Sequence, residues 1–307
     1  MMRILLVVAI GVLVAVFMMP SAMPPASAAI YQQGIFYVIY DEMGDAAIEN
    51  AEDVNSNGVP DMVEDVATQL NAAREVFKDV FNYPDPLESP RFQGINSIEI
   101  DIRDKEQITA SASAFSNIRK KSKHNPAERA LHIRIANTLN PHKSQAPTHE
   151  YFHLIQFGTT YFNNGWFSEG TAQWAQDAVS KIENYPDGEN FSRNFEDEKA
   201  KEELFQTKYK AAKLFWYPLA VNMNDKIKIP DEIIEKYKYV DGSPVFQDDI
   251  IYGANVVREV LMTMKSKEDL AAAEFGDVKE WRKKGRRAET NNEIILDCVR
   301  EVYNAKK

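Results

Sequence analysis

The sequence predicts an α+β fold, with a small mixed sheet and a mainly helical C-terminal part. Two segments, Ser97–Arg103 (SIEIDIR) and Leu131–Leu139 (LHIRIANTL), alternate apolar with polar residues as half-buried strands do. Between Asp61 and Phe81, Met62, Val63, Val66, Leu70, Ala73, Val76, Phe77 and Val80 recur at helical spacing. The order strand, helix, strands, then helices is that of an α+β protein.

The chain of 307 residues opens with one cation, Arg3, an apolar run from Ile4 to Met19, and Ala26-Ser27-Ala28. That pattern predicts a cleaved secretory leader over 1–28, and so a secreted, extracellular or periplasmic, protein. An uncleaved anchor is the alternative, because the run approaches membrane-spanning length. No later segment is apolar enough to span a bilayer, so no stable membrane insertion is expected after cleavage. A net charge of −10 argues against nucleic acid as a partner. The basic runs 119–123 (RKKSK) and 282–287 (RKKGRR) read as solvated loops. The single cysteine, Cys298, excludes an internal disulfide. It reads as a small buried apolar residue in preference to a reactive thiol.

The first strand is expected at 35–40 (IFYVIY), and the helix from Asp61 should stop at the Asn82–Pro86 turn. Asn140-Pro141 stops the 131–139 strand, and a helix starts near Ser144, with Pro147 tolerable in its first turn. Another begins near Ser168, a plausible N-cap. From about Tyr185 the chain reads as helical, broken at Pro218, Pro230 and Pro244. The division expected is an N-terminal segment 29–96, a core 97–184 and a helical subdomain 185–307.

Two of only five histidines, His149 and His153, stand four residues apart in HEYFH. Residues at that spacing share one helix face, where two imidazoles can bind one zinc ion. Glu150 beside them can serve as general base toward a metal-bound water, and Glu169 in FSEGTAQW is a candidate third ligand. Asp177, farther along the same helix, can orient a ligating histidine, or simply face solvent.

Asp53 to Glu64 (DVNSNGVPDMVE) matches the calcium-loop template D-x-[DN]-x-[DN]-G-x5-E. Asp53, Asn55, Asn57, Asp61 and Glu64 supply side-chain oxygens, Val59 its carbonyl, and Gly58 the sharp turn. Pro60 lacks the N–H that a paired loop uses, so a lone structural calcium site is expected. A turn that caps the following helix without metal is the alternative.

HEYFHLIQF with WFSEGTAQW resembles the gluzincin branch of zincin metallopeptidases, over about 97–260. The short interval between His153 and Glu169 is nearer to peptidase-MA-like proteins. With the acidic loop ahead of it, the layout resembles a family of secreted bacterial metalloproteases. The resemblance implies a zincin-like core, peptide or protein substrates, and endopeptidase action. It also implies that 131–139 is an edge strand aligning the peptide, and that a later tyrosine stabilises the oxyanion, Tyr252 first and Tyr217 second. A non-catalytic exported protein held by its metals, and a zinc amidase, are the other classes the residues allow.

Overall fold

The computed structural model describes residues 28–108, 112–114, 120–180, 193–268 and 283–306. The expected leader, apart from Ala28, lies outside the described residues, as does the boundary at 184/185. Among the described residues, no helix is long and apolar enough to cross a membrane.

The sheet is built from β1 (Ala29–Gln33), β2 (Phe36–Tyr40), β3 (Ile98–Arg103), β4 (Ala112–Ala114), β5 (Lys120–Lys121) and β6 (Arg129–Ala136), in the order β1-β2-β3-β6-β4, with β5 also on β6. β1 and β2 form a hairpin whose two-residue turn opens with Gly34 at φ +62°, a sign that tight hairpins favour. β2, β3 and β6 run parallel, and β4 and β5 pair antiparallel with β6. The sheet is therefore mixed, as expected. It also joins the segment before residue 96 to the one after it, since β2 and β3 are hydrogen-bonded neighbours.

Two expectations about these strands need correcting. The 131–139 strand is not an edge: β6 lies between β3 on one side and β4 with β5 on the other. The antiparallel edge is β4, with β5 beside it, and Lys120 and Lys121 of the supposed solvated run belong to that edge. Nor is β3 half-buried. Ile98, Ile100 and Ile102 enter the core, while Glu99 and Asp101 on the other face are also covered. The turn after β5 folds over them. Glu99 Oε1 accepts from Ser122 Oγ at 2.6 Å and from the Lys123 and His124 amides, and Lys123 Nζ is 2.6 Å from Asp101. Burial opposes both charges, but these partners outweigh it at Glu99, and His132, Lys123 and Arg103 outweigh it at Asp101, which is held down to about 2. Alternation marked the strand, and tertiary pairing decided the fate of its polar face.

Helix α1 (Asp61–Glu75) links β2 to β3 and passes into a π-turn over Val76–Val80, so the expected helix over 61–81 forms with a wider last turn. α2 (Ala146–Thr159) packs on α1 and on the sheet, and α3 (Gly165–Ala178) packs on α2. Next come α4 (Arg193–Glu196), α5 (Glu198–Phe205), and a π-turn Ala212–Trp216 running into α6 (Tyr217–Asn222). Pro218 sits at the start of α6 without breaking the helical path, because the π-turn before it absorbs the missing N–H. Pro230 does bound an element, preceding α7 (Asp231–Lys236). A small hairpin, β7 (Lys226–Lys228) with β8 (Ile250–Tyr252), leads into α8 (Ala254–Ser266). α9 (Lys283–Arg286) and α10 (Asn291–Ala305) close the chain. The second basic run is not all solvated either, since the Arg286 guanidinium lies 5.1 Å from the Tyr161 ring centroid. Cys298 is fully buried on α10, where burial pushes its thiol up to about 12, in keeping with an inert apolar role.

Candidate metal centre

α2 is a core helix. Tyr151, Phe152, Leu154 and Ile155 are each at most 1 % exposed and bind it to the aromatic centre of the protein. That placement takes His149, Glu150 and His153 inside with them, at 6, 6 and 5 % exposure. Buried polar groups need partners. Pro147 occupies the first turn of the helix, as expected.

α3 supplies the partner. Its start differs from expectation: the N-cap is Asn164, whose carbonyl takes the Phe167 and Ser168 amides. Ser168 lies inside the first turn, buried and without a hydroxyl partner. The added turn buries Trp166, which stacks on Trp216. Burial of that ring outweighs the capping preference of a serine. Gly170 then lets α3 approach the 211–216 turn. A Cβ there would stand 2.8 Å from Ala211 Cβ and 3.0 Å from Trp216 Nε1. Gly170→Ala is therefore expected to destabilise the protein by about 1–2 kcal/mol, overpacking outweighing the helix-propensity gain. It should also lower metal content, because the neighbouring Glu169 must move. An unchanged Tm and full metal content would refute this.

The result is a converging trio. His149 Nε2 and His153 Nε2 are each 3.4 Å from Glu169 Oε2. Two donors bonded tetrahedrally to one zinc ion at 2.0–2.1 Å stand about 3.3 Å apart. Ligand atoms of His149, Glu150 and His153 also lie within 4.8 Å of one another, the only such His/Cys/Asp/Glu group among the described residues. The donor set fits a divalent ion that accepts nitrogen and oxygen together.

Electrostatics without an ion follow from that closeness. Burial works against the His153 cation, but Glu169 and Glu150 outweigh it and raise the group to about 9. Burial lowers His149, with Glu169 opposing. Burial also works against the Glu169 carboxylate, yet the two imidazoles hold it far below the usual range. Such strong coupling in a buried site marks a functional candidate.

Two residues at the centre went unforeseen. Gln156 Oε1 is 2.7 Å from His153 Nδ1, and the Gln156 amide donates to Ser168 O and Thr171 Oγ1 at 2.9 and 2.7 Å. With both amide hydrogens committed, the oxygen faces the imidazole and favours a proton on Nδ1, leaving Nε2 for a metal. Its place three residues after His153 was a readable signal. Tyr209 lies in a loop with its ring 5.8 Å from that of His149. Burial, then the charges of Glu169 and Glu150, raise its hydroxyl pKa. No spacing in the sequence marks Tyr209.

The other expected residues make contacts with α3. Tyr217 is buried and its hydroxyl donates to Trp174 O at 3.2 Å. The Tyr252 carbonyl accepts from the Trp174 indole at 2.7 Å, on the buried side of α3. Asp177, expected to orient a ligating histidine, pairs with Gln173 Nε2 at 2.8 Å, and the partner of His153 is Gln156.

The acidic loop is folded around its own side chains. Asp53 accepts from the Asn57 and Gly58 amides, and Asn55 and Asn57 from the Asn57 and Val59 amides. Both Asn side-chain amides reach Glu64 at 2.9 Å, and Asp61 accepts from the Val54 amide. Gly58 sits at φ +86°, which leaves the left-handed turn unstrained.

No protein-family model, no curated protein and no solved structure matches this chain.

Proposed function

We propose that this chain is a secreted zinc-dependent endopeptidase of gluzincin type. The observation that carries the reading is the pair of 3.4 Å separations that bring the two imidazoles onto one Glu169 oxygen inside the protein. His149, His153 and Glu169 hold the zinc, which when bound acidifies water and polarises the scissile carbonyl. Glu150, buried beside the imidazoles, takes the proton of the attacking water and returns it to the leaving amine. Gln156 fixes the His153 tautomer. The oxyanion donor is reassigned from Tyr252 to Tyr209, on its closeness to His149 and Glu169. The loop of Asp53, Asn55, Asn57, Val59, Asp61 and Glu64 takes a structural calcium ion, for which the gathering of its side chains on Glu64 is the support.

Elemental analysis and digestion of a denatured protein test the reading together. One zinc per chain and chelator-sensitive cleavage are expected, both lost in His149→Ala. A wild type that binds no zinc sinks it. Zinc without Glu150-dependent cleavage would leave a non-catalytic exported protein held by metal.

A further inference from the structure

Helix α3 is buried along most of its surface. Of its fourteen residues, only Gly165, Glu169, Gln173, Gln176 and Asp177 escape full burial. They fall at intervals of four, four, three and one, which is one stripe of a helix. The stripe runs from Gly165 through the metal ligand Glu169 to Asp177. Eight residues of helix separate Glu169 from Asp177 by about 12 Å, and helical side chains lean toward the N-terminus, so Asp177 leans back toward the metal end.

The next helical stretch runs alongside. Tyr209 lies near Glu169, and Lys213, four residues on, is the charged group that faces Asp177. Among the described residues, Lys213 forms no ion pair with Asp177 within 4.0 Å. The hydrogen bond found to the Asp177 carboxylate comes from the neutral Gln173 amide, at 2.8 Å. Burial raises the Asp177 pKa to about 6, against the pull of Gln173 and Lys213. An acid held half-buried without a contacting cation costs stability, and at His153 the orienting role is taken by Gln156.

We propose that Asp177, supported by Gln173, is the specificity subsite of this enzyme and takes an ammonium or guanidinium group of the substrate. This rests on the peptidase reading above. An extended peptide advances about 3.3 Å per residue, so 12 Å places the group about three or four residues from the scissile bond. A long Lys or Arg side chain can span part of that distance from a nearer position. A free α-amine must sit at the chain end itself.

The test is digestion of a peptide library by the zinc-loaded full chain and by Asp177→Asn. One arm carries Lys and Arg with acetylated ends, another free α-amines without basic side chains, and a third neither. Wild type should cut one cationic arm roughly ten-fold faster in kcat/KM than the neutral arm, the scale of a charge-assisted hydrogen bond. Asp177→Asn should lose that preference. The arm preferred identifies the source of the charge. Wild type that cuts all three arms alike, or a variant that keeps the preference, overturns the proposal and leaves the peptidase reading intact. Absence of any Glu150-dependent cleavage overturns both.

A second readout separates function from structure. Because folding raises the Asp177 pKa from 3.8 to about 6, its ionisation disfavours the fold increasingly as pH rises from 4 to 6. Asp177→Asn should therefore melt above wild type at pH 7.5, with the gain fading as pH falls toward 4. A variant that melts lower at pH 7.5 would make Asp177 a stabilising residue and overturn the subsite.

Discussion

Replacing Glu150 by Gln is expected to cut peptide hydrolysis roughly a thousand-fold while the protein keeps its zinc. The amide is nearly isosteric with the carboxylate, so α2 keeps its packing through Tyr151, Phe152, Leu154 and Ile155. It cannot accept a proton, so the proposed base is removed alone. The zinc ligands of the proposal are His149, His153 and Glu169, so metal content should stay at one per chain. Loss of metal in this variant would make Glu150 a ligand, which its place within 4.8 Å of both imidazoles also permits. Retained metal with retained activity would give the base role to another group.

Calcium at about one hundred times its Kd should stabilise the protein by about 2.7 kcal/mol. For a chain of this size that raises Tm by roughly 4–5 °C. The increment arises because Asp53, Asn55, Asn57 and Glu64 already gather in the folded loop and are dispersed in the unfolded chain. Glu64→Gln should abolish the calcium-dependent part. Glu64 also lies in the first turn of α1, so its loss costs about 0.5 kcal/mol through the helix dipole with or without calcium. The difference in Tm with and without the ion is thus the quantity to compare. No shift in the wild type would leave the loop as a turn that holds itself by hydrogen bonds.

The elements with strong periodicity were legible. β3 and α1 lie where alternation and helical spacing put them, and α2 begins two residues after the expected position. The hairpin strand β1 was not foreseen, because AIYQQ has no flanking signal and acquires its order by pairing with β2. Short edge strands such as β4 and β5 carry too few residues to show a pattern, and their pairing with β6 makes them. The three expected ligands converge, whereas the Tyr217 hydroxyl is spent on the Trp174 carbonyl inside the protein. Aromatic residues in a chain with this many of them pack with one another, so a tyrosine's place in sequence says little about which surface it reaches.

The sequence by itself determined which atoms could share an ion on α2, because the spacing of His149 and His153 and the geometry of a helix are both local. It likewise specified the acidic loop, whose side chains and turn glycine lie within twelve residues. Tertiary structure alone decided what lies across from them. It set Glu169 at 3.4 Å from both imidazoles by packing α3 on α2, and it brought Tyr209 to His149. It also left Asp177 on the one half-exposed stripe of a buried helix. The physical reason is that contacts between elements depend on which faces the core buries, and that is settled by the whole chain at once.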